Sequence, residues 1–513
     1  MRARGAARAQ RRTALALLIA WTGLLAMVGA GSPLVAADRA GWLGSQDRAI
    51  EDVCPSPGHV VRLPDPALRR ALLEALGMTS GEILCAELVD LRELRVVGLG
   101  IESLEGLQFA RGLRLLDVGD NRIRDLAPLA GLDALERLGL GNNDVNGIEA
   151  LAGMVHLIEL HLDGNAVASL EPLAFLPSLQ FLHLREADLD DADVAWLASM
   201  PSLQELDLGM NRIERVDALA ELPRLTKLNL DHNAIEDLAP LAGATRLVEL
   251  SLRANRVADL APLAGLTRLQ TLSLAQNRFG DEALHWLAGL RRLEHLDLAW
   301  NGLTDLWPLA GLVHLVSLSL SDNRVVDLEP LAGLPALQHA DLDGNGMPHE
   351  QLRWLAELPL RSLELDRNRL QSLEALAGLT GLRGVSLRSN EIGDDALVWL
   401  LGLRDLRVLR LSDNALTSVD SLAAVTTLEV LALDTNRITD ISSLRGLPRL
   451  RQLLLHDNQI REIESLAWLP RLEHVTLSGN CLSSAPGSSA ATVLEDLARR
   501  GVRIDAIDQR TCP

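Results

Sequence analysis

Two histidines are the residues of this sequence whose types and spacing most directly suggest chemistry. His161 and His183 lie 22 residues apart in matching contexts, E-L-H-L-D and F-L-H-L-R, and the acidic residues Glu159, Asp163 and Asp207 are close by in the same pattern. Two imidazoles and a carboxylate can hold Zn²⁺. The alternative, which we favour from the sequence, is a pair of solvated histidines beside acidic residues. We therefore predict neither a metal site nor a cofactor.

A second candidate site surrounds His183 and would bind a partner rather than catalyse a reaction. Phe181 and Arg185 flank this histidine at alternate positions, and an exposed ring beside an arginine is the composition of a binding hot spot. The alternative is a ring that only packs at an edge. Trp300 is a similar but weaker candidate. Polar residues complete the predicted set of contact residues: His161, Asp163, Asp207, Asp231, Arg253 and Asp297.

The sequence contains no constellation of residues that indicates catalysis. It lacks the G-x-S-x-G, H-E-x-x-H and phosphate-loop motifs by which several large enzyme classes are recognised. Asp341-x-Asp343-Gly344-Asn345 is superficially similar to a calcium loop, but the spacing of the later ligands fails. We therefore predict a protein that is not an enzyme, and we reject a hydrolase or metal enzyme based on His161 and His183.

All these residues occupy fixed positions in a 22-residue repeat. One copy, from Leu113 to Ala134, reads LRLLDVGDNRIRDLAPLAGLDA, and the signature is L-x-x-L-x-L-x-x-N-x-[IVL] followed by x-D-L-x-P-L-A-G-L. Eighteen copies in register match the leucine-rich repeat pattern. Leu99 and Ala187 replace the asparagine in two copies. The asparagine recurs at Asn121, Asn143, Asn165, Asn211, Asn233, Asn255, Asn277, Asn301, Asn323, Asn345, Asn368, Asn390, Asn414, Asn436, Asn458 and Asn480.

Each part of the repeat predicts part of one coil. The L-x-L segment alternates as a strand does, with its leucines inward. The asparagine amide can bond main-chain groups at the turn, and the P-L-A-G-L segment favours a short 3₁₀ helix. We predict an α/β solenoid, a leucine-rich repeat arc whose parallel β-sheet forms the concave face and whose short turns, 3₁₀ segments and few α-helices form the convex face. Residues six, four and two places before the asparagine should line a polar, net acidic concave floor.

Four repeats are longer than the others and carry a tryptophan nine residues after the asparagine position. Their acidic or polar starts followed by apolar-periodic runs predict an α-helix of two to three turns in place of the short turn. We expect the tryptophans to fill the core between helix and sheet, and the alternative is a lateral stripe that binds a partner. These residues are Trp196, Trp286, Trp354 and Trp399.

The repeats, at residues 91–482, are flanked by predicted caps at residues 38–90 and 483–513. Val60 to Leu63 reads as a short strand, and Asp65-Pro66 as the start of a helix that stops at Gly77. Thr79 and Glu82 form a possible capping box before a helix from Ile83 to Leu91. In the second cap we expect a helix from Ala490 to Arg500, with Gly501 as its stop, and a last strand from Val502 to Ile504.

The first 37 residues have the layout of a secretory signal. An arginine-rich start precedes the uncharged apolar run from Thr13 to Ala30. We expect cleavage after Ala37, with Ala30 as the second choice and an uncleaved membrane anchor as the alternative. The protein should then be exported, as a secreted, periplasmic or cell-envelope protein. The net charge of −20 disfavours nucleic acid and lipid surfaces as partners, so a membrane is a partner only if the segment stays uncleaved.

The four cysteines fit an oxidising compartment. Only the pairing Cys54–Cys85 with Cys481–Cys512 keeps both bridges local, one before the repeats and one at or after their end. A zinc site is the rival interpretation, and it lacks the short C-x-x-C spacing that such sites show.

The caps and the eighteen repeats resemble bacterial secreted leucine-rich repeat proteins of the internalin-like, 22-residue class. The D-L-x-P-L-A-G-L segments and the P-D-P-x-L-R cap, from Pro64 to Arg69, carry this resemblance, whereas a wall-sorting tail is not evident. The resemblance implies protein recognition. We therefore expect an exported, non-enzymatic and monomeric module that binds a protein or peptide on its concave face. A partner with a basic surface is among the expected ligands. The alternative is a structural protein that organises the envelope without a dedicated ligand.

Overall fold

The structure is a computed structural model that describes residues 56, 58–483, 485 and 487–510. The predicted signal segment, Cys54 and Cys512 lie outside the described residues. The chain divides into two compact units, Met1–Leu250 and Ser251–Pro513. In the described part of the chain, no helix combines the length and the hydropathy that a membrane span requires.

Short strands recur once per repeat, and each has three residues. Within the first unit β1 to β7 pair in parallel with their sequence neighbours, and within the second unit β9 to β19 do the same. The described strands, β1 to β19 in chain order, are Glu93–Arg95, Leu115–Asp117, Arg137–Gly139, Glu159–His161, Phe181–His183, Glu205–Asp207, Lys227–Asn229, Glu249–Ser251, Thr271–Ser273, His295–Asp297, Ser317–Ser319, His339–Asp341, Ser362–Glu364, Gly384–Ser386, Val408–Arg410, Val430–Ala432, Gln452–Leu454, His474–Thr476 and Arg503–Asp505.

The chain returns from most strands through a 3₁₀ helix, as the P-L-A-G-L segment predicts. These helices are Leu107–Phe109, Ala127–Leu129, Glu149–Leu151, Glu171–Phe175, Ala195–Ser199, Asp217–Glu221, Ala239–Gly243, Ala261–Gly265, His285–Gly289, Trp307–Leu309, Glu329–Gly333, His349–Leu355, Glu374–Gly378, Asp394–Gly402, Asp420–Ala424, Ser442–Gly446 and Glu464–Trp468. The predicted solenoid of parallel strands is confirmed.

A typical coil buries about seven apolar side chains, which is the number that the repeat predicts. In the coil that begins at Leu113 all seven are at most 2% exposed. Burial of this kind stabilises by roughly 1.5–3 kcal/mol per side chain, but only when neighbouring coils cover both flat sides of each coil. The seven are Leu113, Leu116, Val118, Ile123, Leu126, Leu129 and Leu132.

The repeated asparagine holds consecutive coils together. Asn121 Nδ2 donates to the carbonyl oxygens of Val96, on the preceding coil, and of Val118 and Gly119, on its own coil, over 2.8–3.0 Å. Its Oδ1 accepts the N–H groups of Leu99 and Ile101. The coil with Leu99 in the asparagine position is therefore bonded by the asparagine of the next coil, and Asn211 serves the coil of Ala187 in the same way.

The residue before the asparagine position adopts a left-handed backbone throughout. Its φ lies between 52° and 70° from Gly98 to Gly479, a region in which a side chain is strained unless the residue is glycine, asparagine or aspartate. Trp300 and Thr435 occupy this position, so the fold imposes the conformation on whatever residue stands there.

The prediction of a helix of two to three turns in the four longer repeats is wrong. Two of these repeats contain one α-helical turn, α3 (Asp191–Val194) and α4 (Asp281–Leu284), that continues as a 3₁₀ helix, and the other two are 3₁₀ throughout. The repeats of 24 or 23 residues have a longer segment that returns from one strand to the next. Each coil must still reach the next strand, and the tighter 3₁₀ helix allows the longer segment to do this.

The tryptophans of these repeats are not core residues, contrary to the prediction. Trp286 and Trp399 are 38% and 37% exposed, and Trp196 and Trp354 are half-buried. The leucine that follows each tryptophan is fully buried instead, as Leu287 shows. The tighter helix turns the residue after the tryptophan, rather than the tryptophan itself, toward the sheet.

The first cap contains the predicted helix and differs elsewhere. Helix α1 (Pro66–Ala75) begins at the predicted cap Asp65, and Gly77 is left-handed. Instead of a strand from Val60 to Leu63, a single antiparallel bridge joins Val60 to Leu84. The capping box at Thr79 and Glu82 is also wrong, because α2 (Cys85–Val89) begins later and Glu87 accepts the N–H of Leu84.

The second cap matches its prediction closely. Helix α5 (Ser489–Arg499) is capped by Ser488, which accepts the N–H of Ala491, and Gly501 is left-handed. The last strand, β19, pairs in parallel with β18. Cys85 is fully buried, and neither Cys85 nor Cys481 is a free thiol. Their predicted partners are outside the described residues, so the pairing stays a prediction.

Candidate functional site

The first and third residues of almost every strand face solvent, and the middle residue is buried. This alternation places the predicted candidates on the exposed face of the strands. In β4 it exposes Glu159 and His161 around the buried Leu160, and in β5 it exposes Phe181 and His183 around Leu182. The parallel register sets His161 directly opposite His183.

The two histidines of the first unit lie against each other. Their ring centroids are 4.3 Å apart and the ring planes are inclined by 34°. Asp163, two residues beyond β4, places Oδ2 3.9 Å from Nδ1 of His161. One ligand atom from each of these three residues lies within 4.8 Å of those of the other two. The structure thus brings together the imidazoles and the carboxylate that the sequence singled out.

Two glutamates complete this cluster. Glu159 Oε1 is 2.8 Å from Nε2 of His161, and Glu205 Oε1 is 3.6 Å from Nε2 of His183. Arg137 lies 3.5 Å from the other oxygen of Glu159 and thereby balances its charge. Glu205, on β6, was not among the predicted site residues, although its place opposite Phe181 follows from the repeat spacing.

Phe181 and Arg185 are both half-buried and lie on either side of His183. The guanidinium of Arg185 extends over the next coil, where a Cβ added to Gly209 would come within 2.8 Å of Nη1. Because Gly209 has no side chain, the guanidinium of Arg185 can occupy this position. Phe181 retains accessible ring surface, which the predicted contact role requires.

The acidic candidates of the first unit are held by neighbouring groups. Asp207 accepts the N–H of Gly209 at 2.8 Å and the Nδ2 group of Asn229 at 3.0 Å. Asn229 Oδ1 in turn accepts the N–H of Asp231. These bonds fix the orientation of the carboxylate of Asp207 on the exposed face.

The remaining predicted residues belong to the second unit. Arg253 and Asp297 form an ion pair at 3.9 Å, and Ser273 donates to the same carboxylate oxygen at 3.2 Å. Trp300 is 56% exposed and left-handed. Three residues of the single predicted contact set, Arg253, Asp297 and Trp300, thus belong to the second unit.

An acidic cluster in the second unit was not predicted as a site. Asp341 is the last residue of β12, and Asp343 lies two residues beyond it. Glu364 and Asp366 occupy the equivalent positions one coil later. Burial is the main cause that raises the pKa of Asp343, which reaches about 7. The charges of the other three carboxylates raise this pKa further, and the hydrogen bond from the backbone of Asp366 lowers it. The sequence contains the clustered acidic residues as D-L-D and E-L-D at the same positions of neighbouring repeats. The burial of Asp343 could not be inferred from this pattern.

Glu364 shows the same tendency. Burial raises the pKa of Glu364, and the nearby charge of Arg410 opposes this change. Further along this unit, among the described residues, the buried atoms Arg388 Nε, Ser412 Oγ and Asp434 Oδ1 have no hydrogen-bond partner.

Comparison with known proteins agrees with this architecture. The family described as "Leucine rich repeat" matches residues 177–235, 245–303, 404–460 and 426–482, and the chain has the leucine-rich repeat fold, with parallel strands joined by 3₁₀ turns. No curated protein matches the chain in sequence.

Solved structures of similar fold come from bacteria and mammals. A leucine-rich repeat protein of Leptospira interrogans is 24% identical, with 82% of this chain and 97% of that chain covered and a TM-score of 0.57. A chain of the mouse RP105/MD-1 complex is 23% identical, with 84% and 82% covered and a TM-score of 0.61. The functional domain of InlJ from Listeria monocytogenes is 20% identical, with 84% of each chain covered and a TM-score of 0.55. These likenesses show the fold alone.

Proposed function

We propose that this chain is an exported, non-enzymatic binding protein that recognises a protein or peptide partner on the exposed face of its strands. The observation that carries the proposal is the alternation of strand residues, which presents one row of polar side chains per coil on a backbone fixed by parallel pairing. A surface held in this way binds with little loss of conformational freedom, which favours affinity.

The residues around His183 form the proposed contact centre of the first unit. Phe181 supplies ring surface and Arg185 supplies a guanidinium with access to solvent, and both types are enriched among residues that dominate binding energy. The fold neighbour in the mouse RP105/MD-1 complex supports a role in protein binding by analogy of fold.

A partner with a basic surface fits the charges of the chain. The net charge is −20, and the cluster of Asp341, Asp343, Glu364 and Asp366 places four carboxylates on two neighbouring coils. A lysine or arginine of the partner would relieve the repulsion among these groups. Binding should then weaken as the salt concentration rises, because exposed charges are screened.

A pull-down experiment tests the proposal. The chain is immobilised and exposed to the proteins of the compartment into which it is exported, and the retained proteins are identified. The double variant Phe181→Ala/Arg185→Ala removes the proposed contact centre. The matched control is Phe175→Ala/Trp468→Ala, which removes two rings that are 60% and 73% exposed on 3₁₀ segments. We expect one discrete protein to be retained by the wild type and the control, and lost by the strand-face variant.

Two other outcomes would overturn the proposal. Loss of the partner in the control alone would place the binding surface on the 3₁₀ segments. Failure of every form to retain a discrete protein would favour the structural, envelope-organising alternative.

Export has its own test. We expect the mature chain to begin after Ala37, which mass spectrometry of the protein from its native host would measure. A chain that retains its first 37 residues and sediments with membranes would contradict this expectation.

A further inference from the structure

We propose that His161, His183 and Asp163 bind a divalent transition-metal ion, for which Zn²⁺ is the best match. Zinc prefers imidazole nitrogen and carboxylate oxygen in a tetrahedral arrangement. The candidate ligand atoms already lie within 4.8 Å of one another, and all three side chains are half-buried, so that an ion can reach them. This proposal does not depend on the proposed partner binding.

The arrangement of glutamates is what the sequence could not reveal. Glu159 lies on Nε2 of His161 at 2.8 Å, and Glu205 lies nearest to Nε2 of His183 at 3.6 Å. A carboxylate beside Nε2 favours a proton on that nitrogen, which leaves Nδ1 with its lone pair. Histidines that bind metals usually donate their other N–H to a carboxylate or carbonyl in this way. His161 therefore has the hydrogen-bonded outer partner that a metal site requires, and His183 has a carboxylate close to the corresponding nitrogen.

Asp163 is oriented for the same task. Its Oδ1 accepts the N–H of Arg185 at 2.9 Å, which fixes the carboxylate. Its Oδ2 remains directed at Nδ1 of His161, 3.9 Å away. One oxygen is thus used to position the group, and the other is available as a ligand.

Formation of the site requires the ligand atoms to move closer together than they are in this structure. Zinc bonds of about 2.0–2.1 Å in a tetrahedron place ligand atoms about 3.3 Å apart. Rotations of the side chains would bring the ligand atoms, now within 4.8 Å of one another, to this separation, while the backbones of β4 and β5 are held by their pairing. Three protein ligands leave a fourth position for water.

Equilibrium dialysis of the full chain against Zn²⁺, with the bound metal quantified, tests the proposal. Bound metal is first removed with a chelator, and any histidine tag is cleaved off. The buffer contains no reducing agent, so that the cysteines do not bind zinc as free thiols. We expect one zinc ion per chain, at least a 100-fold loss of affinity in His161→Ala and in His183→Ala, and a loss of about 10-fold in Glu159→Ala.

The matched control is His456→Ala. His456 also faces a carboxylate, Asp434, at 3.6 Å, but it is not part of a cluster of three candidate ligands among the described residues. Its loss should leave zinc binding unchanged. Co²⁺ provides a second readout, because a tetrahedral site with nitrogen ligands gives visible absorption that the His161→Ala variant should lack.

The melting temperature without metal shows whether each variant remains folded. A folded double variant, His161→Ala/His183→Ala, that binds zinc as tightly as the wild type would overturn the proposal. A wild-type chain that binds no zinc at micromolar concentrations of the free ion would overturn it as well.

Discussion

Asp343 accepts a hydrogen bond from the backbone N–H of Asp366 on the next coil, with 2.6 Å between Oδ1 and the nitrogen. The same carboxyl group is partly buried among three other acidic side chains, and burial followed by these charges raises its pKa to about 7. The carboxyl group of Asp343 links two coils, and its ionised form therefore destabilises the folded state.

The substitution Asp343→Asn should stabilise the protein above neutral pH. The native carboxyl holds its proton up to about pH 7, whereas the unfolded one releases it near pH 4. The wild type therefore loses stability as the pH rises between these values. The amide cannot ionise and retains an oxygen for the Asp366 N–H. We expect a gain of about 1–2 kcal/mol at pH 8, after allowance for solvent screening, and none near pH 4.

Urea unfolding at several pH values measures this difference. Asp133→Asn, at an exposed position, is the control and should not alter the pH profile. Equal stabilisation by Asp343→Asn at pH 4 and pH 8 would contradict the assignment of the effect to ionisation.

Removal of one asparagine from between the coils should be costly. Asn458 is 2% exposed; its Nδ2 donates to the carbonyl groups of Leu433, Leu455 and His456, and its Oδ1 accepts the N–H of Ile438. Alanine would leave several buried groups unpaired, so we expect a loss of about 3 kcal/mol.

The control for Asn458→Ala is Asn229→Ala on the exposed face. Its Nδ2 group bonds to the carboxylate of Asp207, where water can replace it, and the expected loss is below about 1 kcal/mol. Similar losses for the two variants in urea unfolding would show that the buried asparagines do not hold the coils together.

Thr435→Asn should stabilise the chain. Thr435 has φ 56°, a conformation that costs a β-branched residue of the order of 1 kcal/mol and that asparagine adopts more readily. We expect a gain of about 0.5–1 kcal/mol in thermal or urea unfolding. Thr267→Asn provides the comparison, because Thr267 is exposed and not left-handed; a gain of the same size there would show that the backbone conformation is not the cause.

Asp65 should couple the first helix to the first repeat in a pH-dependent way. Its carboxylate accepts the N–H groups of Ala67 and Leu68 at the start of α1, and those of Glu102 and Ser103 in the repeat. Desolvation raises the pKa of Asp65, but the four hydrogen bonds together lower it below its usual value. Its stabilisation is therefore present above about pH 4 and is lost as the pH falls through the lowered pKa.

We expect Asp65→Ala to lose about 2 kcal/mol at pH 7 and less as the pH falls through the lowered pKa of Asp65. Amide hydrogen exchange at Leu68 and Ser103 should accelerate together in this variant. Acceleration in α1 alone would show that Asp65 caps the helix without joining it to the repeat.

The sequence determined the repeat frame and therefore which side of each strand a residue occupies. A period of 22 residues with strict alternation in L-x-L leaves one register in which all leucines are buried, so the exposure of His161 and His183 on neighbouring strands followed from spacing. The bonding role of Asn121 and the start of α1 at Asp65 also followed, because each depends on groups close along the chain or one repeat away.

Only the tertiary structure decided how side chains of neighbouring coils meet. The sequence gives Glu159 and Glu205 the same repeat position, yet one bonds to the histidine of its own strand and the other approaches the histidine of the preceding strand. Burial of Asp343 and the outward position of Trp286 likewise depend on how coils pack and on the tightness of the return turn. Rotamers and burial are set by contacts between coils, and a linear pattern does not encode those contacts.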